Sequence, residues 1–179
     1  MSLITTVTPS QAQGQVADVY RQIEAAMGCV PNAFQLYSAS PELLEHQWQQ
    51  TGYFVRHPRL SFPLLALTRM LVSQDNQCDY CIDFNATLLI ERAGYSIDQL
   101  NEIKKNPEAA PLDEKEKAML LFVLKVTRAA SSVAATDIEH LHHLGWQDSD
   151  ILDAATHAAR NMAADAVINA FKVVQDKFA

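Results

Sequence analysis

Residues 74–89 read QDNQCDYCIDFNATLL, and two cysteines three positions apart, Cys78 and Cys81, stand between a polar corner and an apolar run. Behind the corner, Leu60 to Asp75 carries the spacing of one helix; ahead of it, Asp79 to Ala93 carries that of the next. Cys78 is therefore expected at or just before a helix N-terminus, where unpaired backbone N–H groups and the positive end of the dipole favour a thiolate. Positions 78 and 81 lie about one helical turn apart, so the sulfurs can reach bonding distance with little backbone change. The same stripe continues to Asn85 and Leu88, which makes Asn85 the nearest sequence-defined polar neighbour of Cys81. Its amide can donate to a thiolate or fix a water, but it cannot take up and release a proton near neutral pH. A general base has to come from elsewhere.

Three uses of the pair stand open at this point: buried hydrophobes, metal ligands, or a redox couple. A zinc site needs two more ligands, and the sequence offers no second cysteine pair. His140, His142 and His143 cluster in HLHHLG, a pattern that fits the surface of an amphipathic helix. Cys29 sits in a GCVPN turn and is read as packing. Three cysteines are too few for the disulfide framework of a secreted domain. The start, MSLITTVTPSQAQGQ, lacks the features of an export signal, and no apolar run approaches the roughly 18 residues of a membrane span. A cytoplasmic protein is expected, and in a reducing compartment a close cysteine pair points to redox or metal chemistry.

The 179 residues are 49% hydrophobic and 20% charged, the composition of a globular protein long enough to bury one core. A formal net charge of −7 with no clustered Lys and Arg excludes nucleic acid as a partner. Cap and stop signals divide the chain into helix-sized pieces. Thr8, Ser96, Asp113 and Thr136 each precede a Gln or Glu by three residues, Ser40-Pro41 and Asp148 are simpler starts, and Gly28, Gly94 and Gly145 are stops. Ala12, Val16, Val19, Ile23 and Met27 form one apolar stripe, and residues 118–124 (AMLLFVL) are apolar all round. The last helix is expected over about 149–177, with Leu152, Ala155, Ala159, Met162, Ala166, Ala170 and Val173 as its packing stripe. No segment alternates as a strand does, so the expectation is an all-α, single-domain bundle spanning 1–179, with 1–58 as a helical extension packed on the core.

CDYCIDFNATLL opening a helix after a polar corner resembles the core motif of the alkylhydroperoxidase D-like (carboxymuconolactone decarboxylase) family, and GCVPNAFQLYSASPELL, LDEKEKAMLLFVLKVTRAA and ATDIEHLHHLGWQDSDILDAATHAA extend the resemblance over most of the chain. The resemblance implies an all-helical fold assembling as trimers or hexamers. It also implies peroxide or disulfide chemistry without metal or organic cofactor, with Cys81 attacking and Cys78 resolving. A thiol reductant or a disulfide-exchange partner protein would restore the pair. The family's histidine four positions after the second cysteine is Asn85 here, and its glutamate before the first falls at Ala66 or Leu67. Tyr80, between the cysteines, is a candidate hydrogen-bond donor to substrate oxygen or a packed aromatic. Asp83 is a solvent group or a substitute base, and Asp79 a first-turn carboxylate. His57 and His157 are the remaining imidazoles, each read first as structural, and Arg69 as a surface cation. Two alternatives accompany the thiol-dependent peroxidase: a lactone decarboxylase of the same fold, and a non-catalytic helical assembly protein.

Overall fold

The computed structural model describes residues 2–176. Among them lie nine α-helices: α1 (Gly14–Met27), α2 (Asn32–Tyr37), α3 (Pro41–Val55), α4 (Phe62–Asp75), α5 (Asp79–Ala93), α6 (Ile97–Lys105), α7 (Glu114–Ala129), α8 (Ala135–His143) and α9 (Asp148–Ala170). No strand occurs among the described residues, and the fold is all-α. The chain divides into two compact units, Met1–Arg56 with Val167–Ala179, and His57–Ala166. The expected extension ending at residue 58 thus meets a boundary at Arg56, and the unit that ends there also takes in residues from 167 onward.

In the first unit Val16, Val19, Tyr20, Ile23, Val30 and Leu44 make a closed apolar cluster, the α1 stripe with Tyr20 added to it. Fully burying side chains of this size contributes about 1.5–3 kcal/mol each. Tyr20 keeps its hydroxyl satisfied by donating to the Val7 carbonyl at 2.8 Å. The Leu3 N–H donates to the Phe171 carbonyl at 2.9 Å, and the Asn32 N–H to Asp176 Oδ1 at 2.8 Å, so sequence-distant ends close on one another.

In the second unit α4 starts where Ser61 Oγ accepts the Leu64 N–H, with Pro63 in the first turn. It is buried from Leu64 through Thr68 and again from Met70 through Ser73. Residues 118–124 of α7 are likewise buried or half-buried throughout, as their unbroken apolar run predicts. Ser96 and Gln99 form a reciprocal capping box on α6, and Asp113 Oδ1 accepts the Glu116 N–H on α7.

Three local expectations change. Thr8 opens only a single 3₁₀ turn, and α1 begins at Gly14. Thr136 lies inside α8, whose first turn is closed by Asp137 accepting the Ala134 N–H. α9 ends at Ala170, because Lys172 takes a left-handed φ of 56° and the Val173 N–H turns back to the Ile168 carbonyl; the expected end at 177 falls outside the described residues. The packing face of α9 also differs from the stripe read in the sequence. Leu152, Ala159, Ala166 and Ala170 are exposed, while Ile151, Ala154, His157, Ala158 and Asp165 are buried. Alanine is compatible with either face, so the apolar pattern alone selected the wrong one, whereas the polar residues decide it.

Candidate functional site

The corner between α4 and α5 sets the two sulfurs. The Gln77 N–H donates to the Gln74 carbonyl and the Cys78 N–H to the Ser73 carbonyl, a Schellman closure with Gln77 at φ 54°. This closure delivers Cys78 to the N-cap of α5, and Cys81 follows one turn later on the buried face. Cys78 is fully buried and Cys81 retains 7% of its surface. Both sulfurs lie within 4.8 Å of each other and of a carboxylate oxygen of Asp165, itself fully buried on α9.

Asp165 is held by three dedicated donors. Ser73 Oγ donates to Oδ1 at 2.9 Å, while Asn76 Nδ2 and Asn161 Nδ2 both donate to Oδ2 at 3.0 Å. Asn161 also reaches Ser73 Oγ at 2.8 Å. A thiophilic ion or a shared proton would each suit three donor atoms this close. The two amide bonds on Oδ2 occupy both its lone pairs, and the Ser73 bond leaves one lone pair on Oδ1 for a proton or an ion.

On the other side of Cys81 stands Arg69. Its Nε donates to Asn85 Oδ1 at 2.7 Å, its Nη1 lies 3.3 Å from His157 Nε2, and its charge acts on the Cys81 sulfur. Arg69 is half-buried and tied into the site, which corrects its reading as a surface cation. Burial brings its pKa down to about 10, an effect opposed by the negative charge available on Cys81.

The electrostatics of the pair follow from these neighbours. The Cys81 thiol donates to Cys78 and holds the Cys78 thiol below the ordinary cysteine range, against the upward pull of burial. Cys81 is pushed up, first by the hydrogen bond it gives to Cys78 and then by burial and the Asp165 carboxylate. The two thiols therefore titrate as a unit, and the first proton to leave comes from Cys78. Burial raises the Asp165 carboxyl above the usual carboxylate range. His157 is driven down to about 3 by burial and then by Arg69, so its imidazole is neutral at physiological pH.

The remaining sequence candidates fall into place around this centre. Asn85 is buried, but its amide nitrogen donates to the Cys81 carbonyl at 2.8 Å and its oxygen accepts from Arg69 Nε; it links α5 to Arg69. Tyr80 is buried and stacked on Phe84 with ring centroids 6.2 Å apart. Asp83 is exposed on α5, two positions from Cys81 and so on a different face. Asp79 is exposed in the first turn. His57 uses Nδ1 to accept the Arg59 and Leu60 N–H groups and Nε2 to meet Asp153, which makes it the organiser of its own turn. His140, His142 and His143 are exposed. Cys29 is exposed, not packed, because the turn that carries it follows the left-handed Gly28.

Asp165 and Asn161 escaped the sequence reading, although a signal existed. His157, Asn161 and Asp165 recur every four residues along α9, a polar stripe in an alanine-rich helix. On α4 and its C-cap, Arg69, Ser73 and Asn76 follow a spacing of four and three.

Fold and site together define an all-helical protein organised around a buried Cys-x-x-Cys pair at a helix N-terminus. The same architecture is found in a peroxidase-related protein of Silicibacter sp. TM1040, 26% identical over 89% of this chain and 84% of that one, with a TM-score of 0.78. It recurs in an alkylhydroperoxidase D core protein of Ralstonia eutropha JMP134, 20% identical over 98% and 93% of the two chains, with a TM-score of 0.85. A debrominase also shares it, 17% identical over 97% and 92%, with a TM-score of 0.78, and a cysteine-to-alanine variant of that enzyme has been solved with 2,3,4-tribromopyrrole. No family model and no curated protein matches the sequence. The chain has the all-helical fold of alkylhydroperoxidase D-like, peroxidase-related proteins.

Proposed function

We propose that the protein is a thiol-dependent oxidoreductase of the peroxidase type, acting in antioxidant defence through Cys81 and Cys78. The observation that carries this reading is the sulfur pair: two cysteine sulfurs in hydrogen-bond contact at the mouth of a helix. Cys81, the less buried of the two, passes its proton to the Cys78 thiolate and attacks the terminal oxygen of a peroxide. The S–O bond forms as the O–O bond breaks, leaving a sulfenic acid on Cys81 and releasing an alcohol or water. Cys78 then attacks the sulfenic sulfur, and a disulfide forms as water leaves. An external dithiol, free or on a partner protein, returns the pair to two thiols. Arg69 steadies the developing thiolate on Cys81, and Asn85 holds Arg69 in place. Tyr80 supports the first turn of α5 by stacking on Phe84, and Asp83 takes no part in the chemistry.

The expected setting is the cytoplasm, and among the described residues no helix is long and apolar enough to cross a membrane. We extend the proposal to a homo-oligomer, a trimer or hexamer, supported by Leu152, which stands 68% exposed on α9. Sedimentation of the purified protein checks it, and a monomer at all concentrations removes it.

The enzymatic reading is tested by peroxide consumption with dithiothreitol as reductant. Cys81→Ser is expected to abolish turnover, and Cys78→Ser to stop it with a sulfenic acid trapped on residue 81. Unchanged rates in either variant would exclude the mechanism. An ordinary cysteine pKa at both positions would leave the assembly protein as the better description.

A further inference from the structure

The redox reading leaves a proton to be placed. Closing a disulfide from two thiols and a peroxide makes one alcohol and one water, so two protons must reach two leaving oxygens. A pair that has given up one proton to form the attacking thiolate holds only one of them. The residues that would hold the other in the resembling family, a glutamate and a histidine, are here apolar at Ala66 and Leu67 and an amide at Asn85. His157 cannot carry it, since its imidazole is kept neutral and its Nε2 faces Arg69 and the Leu65 carbonyl.

Resting on that reading, we infer that Asp165 is a catalytic residue of the pair, whose carboxyl takes one thiol proton in the reduced protein and gives it to the hydroxide that leaves when the disulfide closes. Its oxygen is within 4.8 Å of both sulfurs, on a fully buried side chain. The groups facing it are Ser73 from α4, Asn76 and Cys78 from the corner between α4 and α5, Cys81 from α5, and Asn161 from α9; the Arg69 cation acts on Cys81. Ser73, Asn76 and Asn161 only donate to it, so the carboxylate is stabilised without being neutralised by a salt bridge. Burial moves its affinity for protons toward that of a thiol, the condition under which a proton passes readily between two groups.

The balance over one turnover is closed. Two thiols and a carboxylate redistribute to a thiolate, a thiol and a carboxylic acid. Cys81 attacks the peroxide, and the proton of the pair goes to the departing alkoxide. Cys78 attacks the sulfenic sulfur, and the Asp165 proton goes to the departing hydroxide, giving water, a disulfide and an ionised carboxylate. The external dithiol contributes two electrons and two protons, one of which returns to Asp165.

Infrared difference spectroscopy reads this directly, because only a protonated carboxyl gives a carboxylic C=O stretch. In the wild-type protein that band is expected in the reduced state, lost on oxidation with diamide, and missing from the reduced Asp165→Asn variant. The variant should also close its disulfide at neutral pH at least about 100-fold more slowly, the lower range for losing a general acid or base. A redox difference spectrum with no carboxylic band, or an unchanged closing rate in Asp165→Asn, would overturn the assignment. Should the variant fail to fold, the wild-type spectrum decides alone. Since diamide replaces peroxide, a protein that loses the band yet consumes no peroxide refutes the peroxidase reading and keeps Asp165. One that consumes peroxide with no band does the reverse.

Discussion

The two compact units bury different things. Around Ile23 and Leu44 the first unit encloses an apolar cluster, and Ser38 is the buried polar side chain it carries, accepting the Val7 N–H and donating to the Gln35 carbonyl. The second unit buries Thr68, Ser73, Asn85, Asp150, His157 and Asp165. Each buried polar group costs free energy unless its hydrogen bonds are made, and a buried charge costs more. The first unit is thus arranged for packing, and the second adds to a packed apolar core the sulfur, carboxyl and guanidinium held in fixed register.

The difference can be broken most strongly on the packing side. Leu44→Ala removes a fully buried side chain from the first unit and is expected to lower unfolding stability by about 2–5 kcal/mol in urea titration. The rate at which the 78–81 disulfide forms should stay as in the wild type, and a matching fall in that rate would deny that the units divide packing from chemistry. On the chemical side, Asn85→Ala leaves the Arg69 Nε and the Cys81 carbonyl without their partner. It should cost about 1–3 kcal/mol of stability and also slow disulfide formation, a combination Leu44→Ala does not give.

His157 sharpens the comparison through pH. Its folded pKa of about 3 lies below the ordinary imidazole value of 6.5, so the unfolded chain binds a proton in that window and the folded chain does not. Stability from this group is complete above about pH 6.5 and is lost as pH falls toward 3. At about 1.4 kcal/mol per unit, roughly 2 kcal/mol should disappear between about pH 6.5 and pH 5. Asp165 has the opposite sign: its raised pKa favours the fold in acid and loses that contribution as pH rises through the folded value. Urea midpoints of wild type and His157→Gln across this range separate the two. A variant as acid-sensitive as the wild type would mean that another group sets the limb.

These cases also mark how far the sequence could be read. Cys78 and Cys81, their place at the start of α5 and the ends of α4 and α5 were legible, because a short polar corner between two apolar periods leaves few alternatives. The all-helical class was legible from the same periodicity. Asp165 was not, since the one local signal is the four-residue spacing of His157, Asn161 and Asp165, and the groups that show it to be buried come from α4, the corner after it and α5. Arg69 was misread for the same reason: its burial depends on Asn85 and His157, which reach it from other helices. Helix ends were legible at Gly28, Gly94 and Gly145 and illegible at Lys172, where a lysine takes the left-handed position that glycine usually signals.

The smallest effect concerns that position in both units. Gln77 and Lys172 each hold a left-handed φ, 54° and 56°, and each closes a Schellman turn. A left-handed non-glycine residue costs roughly 1–2 kcal/mol, part of which a glycine returns as extra freedom in the unfolded chain. Gln77→Gly and Lys172→Gly should therefore each raise stability by about 0.5–1 kcal/mol in thermal unfolding. Only Gln77 adjoins Cys78, so only its replacement should alter the disulfide closing rate, by loosening the turn that aims the sulfur at Cys81. If Gln77→Gly gains stability and closes its disulfide at the wild-type rate, the corner is a helix stop and nothing more, and the positioning of Cys78 rests on Asp165 and the α5 N-terminus alone.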